Sequence, residues 1–207
     1  MITPRRITRR GRFHAGIPVA TGTLLLTLCM HGPVLADSKD GNFPTADQVG
    51  GEVFPKGIQV GDTFPTNWDI YDDNGRKVDL GKLIKGKRSI LAFFISAVPV
   101  SVDELKKLEK ATGGSNDTQL LFVNTDLVGG KLQGVDPIAE TARTVRVIRQ
   151  EKNIKQPMFV APNDALSEHG LSNVLGFRGL PTVYVVNEKG AVENVYVGPQ
   201  NWTKTNI

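Results

Sequence analysis

Two short stretches of this chain carry almost no polar side chain: Ile90, Leu91, Ala92, Phe93, Phe94 and Ile95, then Leu120, Leu121, Phe122 and Val123. Each is too short for a buried helix and too continuous for a sheet with one wet face. Such runs suit strands covered on both sides. Between them lies a stretch of helical periodicity. Val102, Leu105 and Leu108 recur on one face, while Lys106, Lys107, Glu109 and Lys110 face water. Ser101 followed by Glu104 reads as a capping box at the start of this helix, and Gly113-Gly114 as its end.

The alternation continues on both sides. Residues 68–71 and 76–80 read as strands joined at Asp72-Asp73-Asn74-Gly75, with Asn-Gly supplying the positive φ angles of a tight hairpin. Asp136-Pro137 starts a second helix running to about Glu151, with Ile138, Ala142, Val145 and Ile148 spaced along it. On that helix Arg143, Arg146, Arg149 and Lys152 form a basic stripe, read as a solvated face. Residues 157–160 read as a short strand and 165–175 as a helical segment interrupted by Gly170. Residues 182–186 and 191–197 form a final hairpin around Asn187-Glu188-Lys189-Gly190. Strands alternating with helices and closed by a hairpin imply an α/β domain, a mixed central sheet with helices on its faces.

The formal charge of +4 does not mark a nucleic-acid binder. Residues 1–36 hold Arg5, Arg6, Arg9, Arg10 and Arg12 and no acid; the 25 basic residues less these five leave 20 against 21 acidic ones. The segment reads as a signal peptide: an arginine-rich start, an apolar stretch densest at residues 24–28, then Val34-Leu35-Ala36 as a cleavage site before Asp37. A membrane anchor is the alternative, disfavoured by the shortness of the stretch and by its Gly, Thr and Pro. Thr8-Arg9-Arg10-Gly11-Arg12-Phe13 partly matches a twin-arginine signal, so the export route stays open. Leu26-Thr27-Leu28-Cys29 loosely matches a lipoprotein box, against which the bulky Leu28 argues. Residues 37–57 are polar, without periodicity, and read as a flexible linker. The domain proper is 58–207.

Cys29 is the only cysteine. Cleavage at Ala36 leaves a mature chain with no thiol and one histidine, His169, which excludes an intramolecular disulfide, a cysteine nucleophile and a Cys/His zinc site. His169 sits in Ser167-Glu168-His169-Gly170 with no nucleophile-elbow motif and reads as a solvated helix-end residue. No Gly-rich phosphate loop occurs, and we expect no cofactor, no metal and no nucleic-acid partner.

Four local patterns, in order, resemble one family. They are Gly61-Asp62-Thr63-Phe64-Pro65 running to Asn74-Gly75; residues 93–101; Gly176-Phe177-Arg178-Gly179-Leu180-Pro181-Thr182; and Asn187-Glu188-Lys189-Gly190 with Val195-Tyr196-Val197-Gly198. Over about residues 58–199 the chain resembles the thioredoxin-like fold, in the redoxin branch of periplasmic thiol–disulfide oxidoreductases. That resemblance implies a Cys-x-x-Cys loop at a helix N-terminus, where the helix dipole lowers the first thiol's pKa. Here the matching positions are Val98-Pro99-Val100-Ser101, so the redox pair is missing. Ser101, with no base near in sequence, is expected to cap the helix rather than act as a nucleophile. The resemblance also implies a cis bond before Pro181 and strand pairing of an extended peptide with the backbone just ahead of it.

The expected function is therefore that of an exported, periplasmic or otherwise secreted, redox-inactive module. It would bind an extended segment of an exported protein, in chaperone or assembly work, through a groove of Val98, Pro99, Val100, Ser101, Leu180 and Pro181. A vestigial groove stays open. The alternative is a thiol–disulfide oxidoreductase or antioxidant protein, as the family suggests, disfavoured by the missing thiols. The family often closes with a further helix, for which residues 198–207 are too short and polar. Trp202 in that tail covers part of the sheet or anchors a partner.

Overall fold

The computed structural model describes residues 57–113, 117–126, 134, 136–164, 167, 169–177 and 179–207; the predicted signal and the predicted linker up to residue 56 lie outside them. The elements follow the alternation of the sequence. A hairpin, β1 (Ile70–Asp72) and β2 (Lys77–Val78), leads into a short helix α1 (Leu80–Ile84). Then come β3 (Arg88–Phe94), α2 (Pro99–Thr112), β4 (Thr118–Asn124), α3 (Pro137–Glu151), β5 (Met158–Val160) and α4 (Leu171–Leu175). The hairpin of β6 (Thr182–Val186) and β7 (Val192–Val197) completes the order.

Among the described residues the strands form one sheet in the order β2-β1-β5-β4-β3-β6-β7. β3, β4 and β5 run parallel, and the remaining pairs are antiparallel. The two apolar runs are the centre of it: β3 and β4 pair from Arg88↔Thr118 to Phe94↔Asn124. Successive side chains of β3 point to opposite faces. Ile90, Ala92 and Phe94 pack with Val102, Leu105 and Leu108 of α2 and with Ala142, Val145 and Ile148 of α3. Leu91 and Phe93 pack on the other face with Leu80 and Ile84 of α1 and Leu171 and Leu175 of α4. Burial on both faces is why these strands read as unbroken apolar runs rather than as alternating ones.

Several local expectations are corrected. The first hairpin turns with only Gly75 at positive φ (+76°), because Asp72 carries the turn: its Oδ1 accepts from the N–H of Asn74 and of Arg76 at 2.9 Å each. Its return strand stops at Val78, since Asp79 caps α1 by accepting from Lys82 N–H and Leu80 becomes helical and buried. Gly170 does not interrupt a helix; it is the N-cap of α4, packed so closely that a Cβ there would lie 1.8 Å from the Asp164 carbonyl oxygen.

The basic stripe of α3 is not simply solvated. Arg149 pairs with Asp73 at 2.9 Å, the Arg146 guanidinium donates to the Asp73 carbonyl, and Lys152 pairs with Asp103 of α2 at 2.7 Å. Arg143 pairs with Glu140 of its own helix at 3.0 Å. The stripe thus fastens α3 to the first hairpin and to α2. Asp136 accepts from Ile138 and Ala139 N–H, so the predicted start of α3 stands.

The tail forms no helix, yet it packs. Trp202 meets Tyr196 edge-on at 5.2 Å between ring centroids, and Trp202 and Ile207 lie against the α2/α3 side of the core. Of the two readings of Trp202, this contact favours the cover over the sheet. Among the described residues no helix is long and apolar enough to cross a membrane.

Candidate functional site

The site is fixed by the central register. β3 pairs antiparallel with β6, Phe93 opposite Thr182, so the segment leaving β3 (95–98) and the segment entering β6 (179–181) emerge side by side at one end of the sheet. The first bends into α2 through Val98 N–H donating to Ile95 carbonyl at 3.3 Å. The second contains a cis Leu180–Pro181 peptide bond and is held by Gly198 N–H donating to Pro181 carbonyl at 2.8 Å and by the Thr182 hydroxyl donating to Gly179 carbonyl.

α2 begins three residues earlier than a serine-capped helix would. Val98 is the N-cap, with no side-chain acceptor, and Pro99 occupies the first turn, where its missing N–H is harmless. Ser101 therefore lies inside the helix. It is fully buried and its Oγ has no hydrogen-bond partner, so no base touches it and no substrate reaches it. The expected capping box is absent for the same reason. Glu104 is 1% exposed and turns to the tail and to its own helix, accepting from Gln200 N–H at 2.8 Å and from Lys107 Nζ at 3.0 Å.

The expected groove is thus narrower than its six residues. Pro99 and Val100 are exposed, Val98 and Leu180 half-buried, and Ser101 and Pro181 lie beneath the surface. Leu180 packs against the core cluster that holds Phe93, Phe177 and Trp68. The rings form a short array, Trp68 to Phe93 at 5.9 Å and Phe93 to Phe177 at 5.1 Å, which floors this side of the site. No hydrogen bond among the described residues uses the N–H or the carbonyl of Leu180.

A layer of polar groups that sequence reasoning missed lies behind the loop. Asp126, two residues past β4, accepts on Oδ2 from Ser96 N–H at 3.1 Å and from the Ser96 hydroxyl. Its own N–H donates to Asn124 Oδ1 at 3.0 Å. Burial pushes the Asp126 carboxyl above the usual carboxylate value, against the lowering pull of the Ser96 donors. The signal available in the sequence was an acid directly after a buried strand, in Asn124-Thr125-Asp126.

His169 is exposed and lines a separate cleft of about 610 Å³ with Trp68, Tyr71, Ile138, Leu171 and Val174. Among the described residues no group of three or more His, Cys, Asp or Glu side chains could hold a metal ion. Chemically, the end of the sheet offers, among the described residues, an apolar surface and the main chain of Leu180 without a hydrogen bond.

No family model matches the chain, and no curated protein matches it. Solved structures do. A protein proposed to transfer electrons, from Aquifex aeolicus, is 16% identical over 71% of this chain and 89% of its own, with a TM-score of 0.53. A thiol:disulfide interchange protein from Bacteroides sp. is 17% identical over 67% of this chain and 81% of its own, at 0.51. The thioredoxin domain of a thiol-disulfide oxidoreductase from Bacteroides vulgatus is 17% identical over 68% and 90%, at 0.50. These likenesses give the chain a thioredoxin-like fold; at such identities they carry the fold alone.

Proposed function

We propose that this protein is an exported, redox-inactive thioredoxin-like module that binds an extended segment of another exported protein, as a chaperone or assembly factor. The carrying observation is the main chain of half-buried Leu180, which makes no hydrogen bond among the described residues, at the same end of the sheet as Val98, Pro99 and Val100. An extended peptide pairs with such backbone and places alternate side chains in shallow apolar pockets, which requires no cysteine. Val100, at 47% exposure, is among the most exposed large apolar side chains of the described residues. Burying it against a partner removes apolar surface from water. Export rests on the arginine-rich start, the apolar stretch and Ala36-Asp37.

Val98→Asp tests the binding surface. Val98 is the N-cap of α2 and lacks a cap hydrogen bond, so aspartate there is expected to hold or raise stability while placing a charge in the groove. Recovery of co-purifying partners should fall about tenfold, equivalent to about 1.4 kcal/mol. Equal recovery with an unchanged melting temperature would reject the groove. The oxidoreductase alternative draws on the names of the neighbours and is met by thiol alkylation of the protein from its native host. The expected result is no modified site; a labelled Cys29 would reopen that reading.

A further inference from the structure

Asp126 is placed where its charge state bears on the loop that opens the site. Its Oδ2 takes both the N–H and the hydroxyl of Ser96, so one carboxyl oxygen holds the middle of the 95–98 segment. Its Oδ1 is buried with no partner. An ionised carboxylate has two oxygens to satisfy, and here only one is served. Among the described residues no ion pair compensates it. From α3 the Thr141 hydroxyl donates to the Asp126 carbonyl at 3.4 Å, and from β4 Asn124 takes its N–H. The charged groups of the neighbouring helices are engaged elsewhere. Asp136 caps α3, Glu140 pairs with Arg143, Asp103 with Lys152, and Glu104 with Lys107. Among the described residues no lysine, arginine or histidine pairs with Asp126.

We infer that the Asp126 carboxyl is a proton-operated latch on the 95–98 loop: with its proton it keeps the clasp to Ser96 closed, and on losing it the group turns toward water and frees the loop. A neutral carboxyl leaves Oδ1 at the small penalty of an unpaired dipole; a charged one leaves it at the larger penalty of a desolvated charge. The direction of the Asp126 shift agrees. Because the folded-state value is raised, this group's contribution to stability is fully present below the unfolded aspartate value and is lost as pH rises through the folded one. This inference is independent of any partner.

The test is an NMR titration of the intact protein, following the Asp126 carboxyl carbon and the Ser96 and Val98 amides. The expected result is one shared midpoint above the ordinary aspartate value of 3.8, with exchange protection of Val98 N–H falling across it after correction for intrinsic rates. Asp126→Asn removes the Ser96 and Val98 titration and the matching fall in the urea midpoint. Ser96→Ala removes one donor to the carboxylate, and the Asp126 midpoint should move further up. A midpoint at or below 3.8, amide titrations that survive Asp126→Asn, or an Asp126 midpoint indifferent to Ser96→Ala would each overturn the latch.

Discussion

Phe93→Ala is expected to remove about 3–5 kcal/mol of stability, the range for truncating a fully buried aromatic side chain. Phe93 lies at the C-terminal end of β3 with no solvent exposure, and its ring meets Trp68, Phe177 and Tyr184 at centroid distances of 5.9, 5.1 and 5.8 Å. Tyr184 is itself pinned by its hydroxyl donating to Leu175 carbonyl at 2.6 Å, so the site has little freedom to collapse into the space left behind. Urea unfolding followed by far-UV circular dichroism measures the loss. A change below about 1.5 kcal/mol would mean that the aromatic array repacks and does not act as a unit. The same variant should loosen Phe177, which with Leu180 packs against the core cluster that holds Phe93, so partner recovery should drop even where the chain remains folded.

Glu104→Ala is the second large effect, expected at about 2–3 kcal/mol, because it strips a buried N–H of its acceptor. Gln200 N–H donates to Glu104 Oε1 at 2.8 Å, and both residues are buried. Glu104→Gln keeps an acceptor oxygen and should lose less than half as much. The difference between the two variants, read from chemical unfolding, measures the acceptor oxygen and side-chain volume that glutamine keeps. Equal losses would show that the carboxylate charge, which both variants remove, holds the tail to α2. Protease cleavage within 198–207 should accelerate in the alanine variant and remain slow in the glutamine one.

The framework of this molecule was legible because its strands are buried on both faces. Residues 90–95 and 120–123 have no polar side to present, and no other placement suits them. The ends of α3 were legible for a local reason as well, since Asp136-Pro137 combines a cap with a residue made for the first turn. The start of α2 was misread because two local signals competed. Ser101 and Glu104 fit a capping box, but Pro99 fixes its own φ in the helical range and sets the turn three residues sooner. Once that happens, Ser101 and Glu104 fall on the inner face of the helix, where the serine hydroxyl is left without a partner and the glutamate binds the tail. Half of the misjudged groove follows from that single shift. The basic stripe of α3 and the role of Asp126 were hidden for another reason. Asp73 lies 76 residues from Arg149, and Ser96 lies 30 from Asp126, and no periodicity reports pairings at that distance.

The strand order has a kinetic consequence. β6 meets β7 across a tight turn and β3 meets β4 across the single helix α2, whereas β3 finds β6 only with Phe93 opposite Thr182, and β1 finds β5 only with Tyr71 opposite Val160. Closing so long a loop is entropically slow and is rewarded only after β5 has docked on β4. The first and the last hairpin should therefore both join the sheet late during folding, after β3, β4 and β5 have met. A chain emerging amino-end first would hold β1 and β2 unpaired with the sheet until most of the domain had been made. In that interval their edges are open to other chains, and a holding factor that covers residues 70–78 would protect the nascent protein at its most vulnerable point.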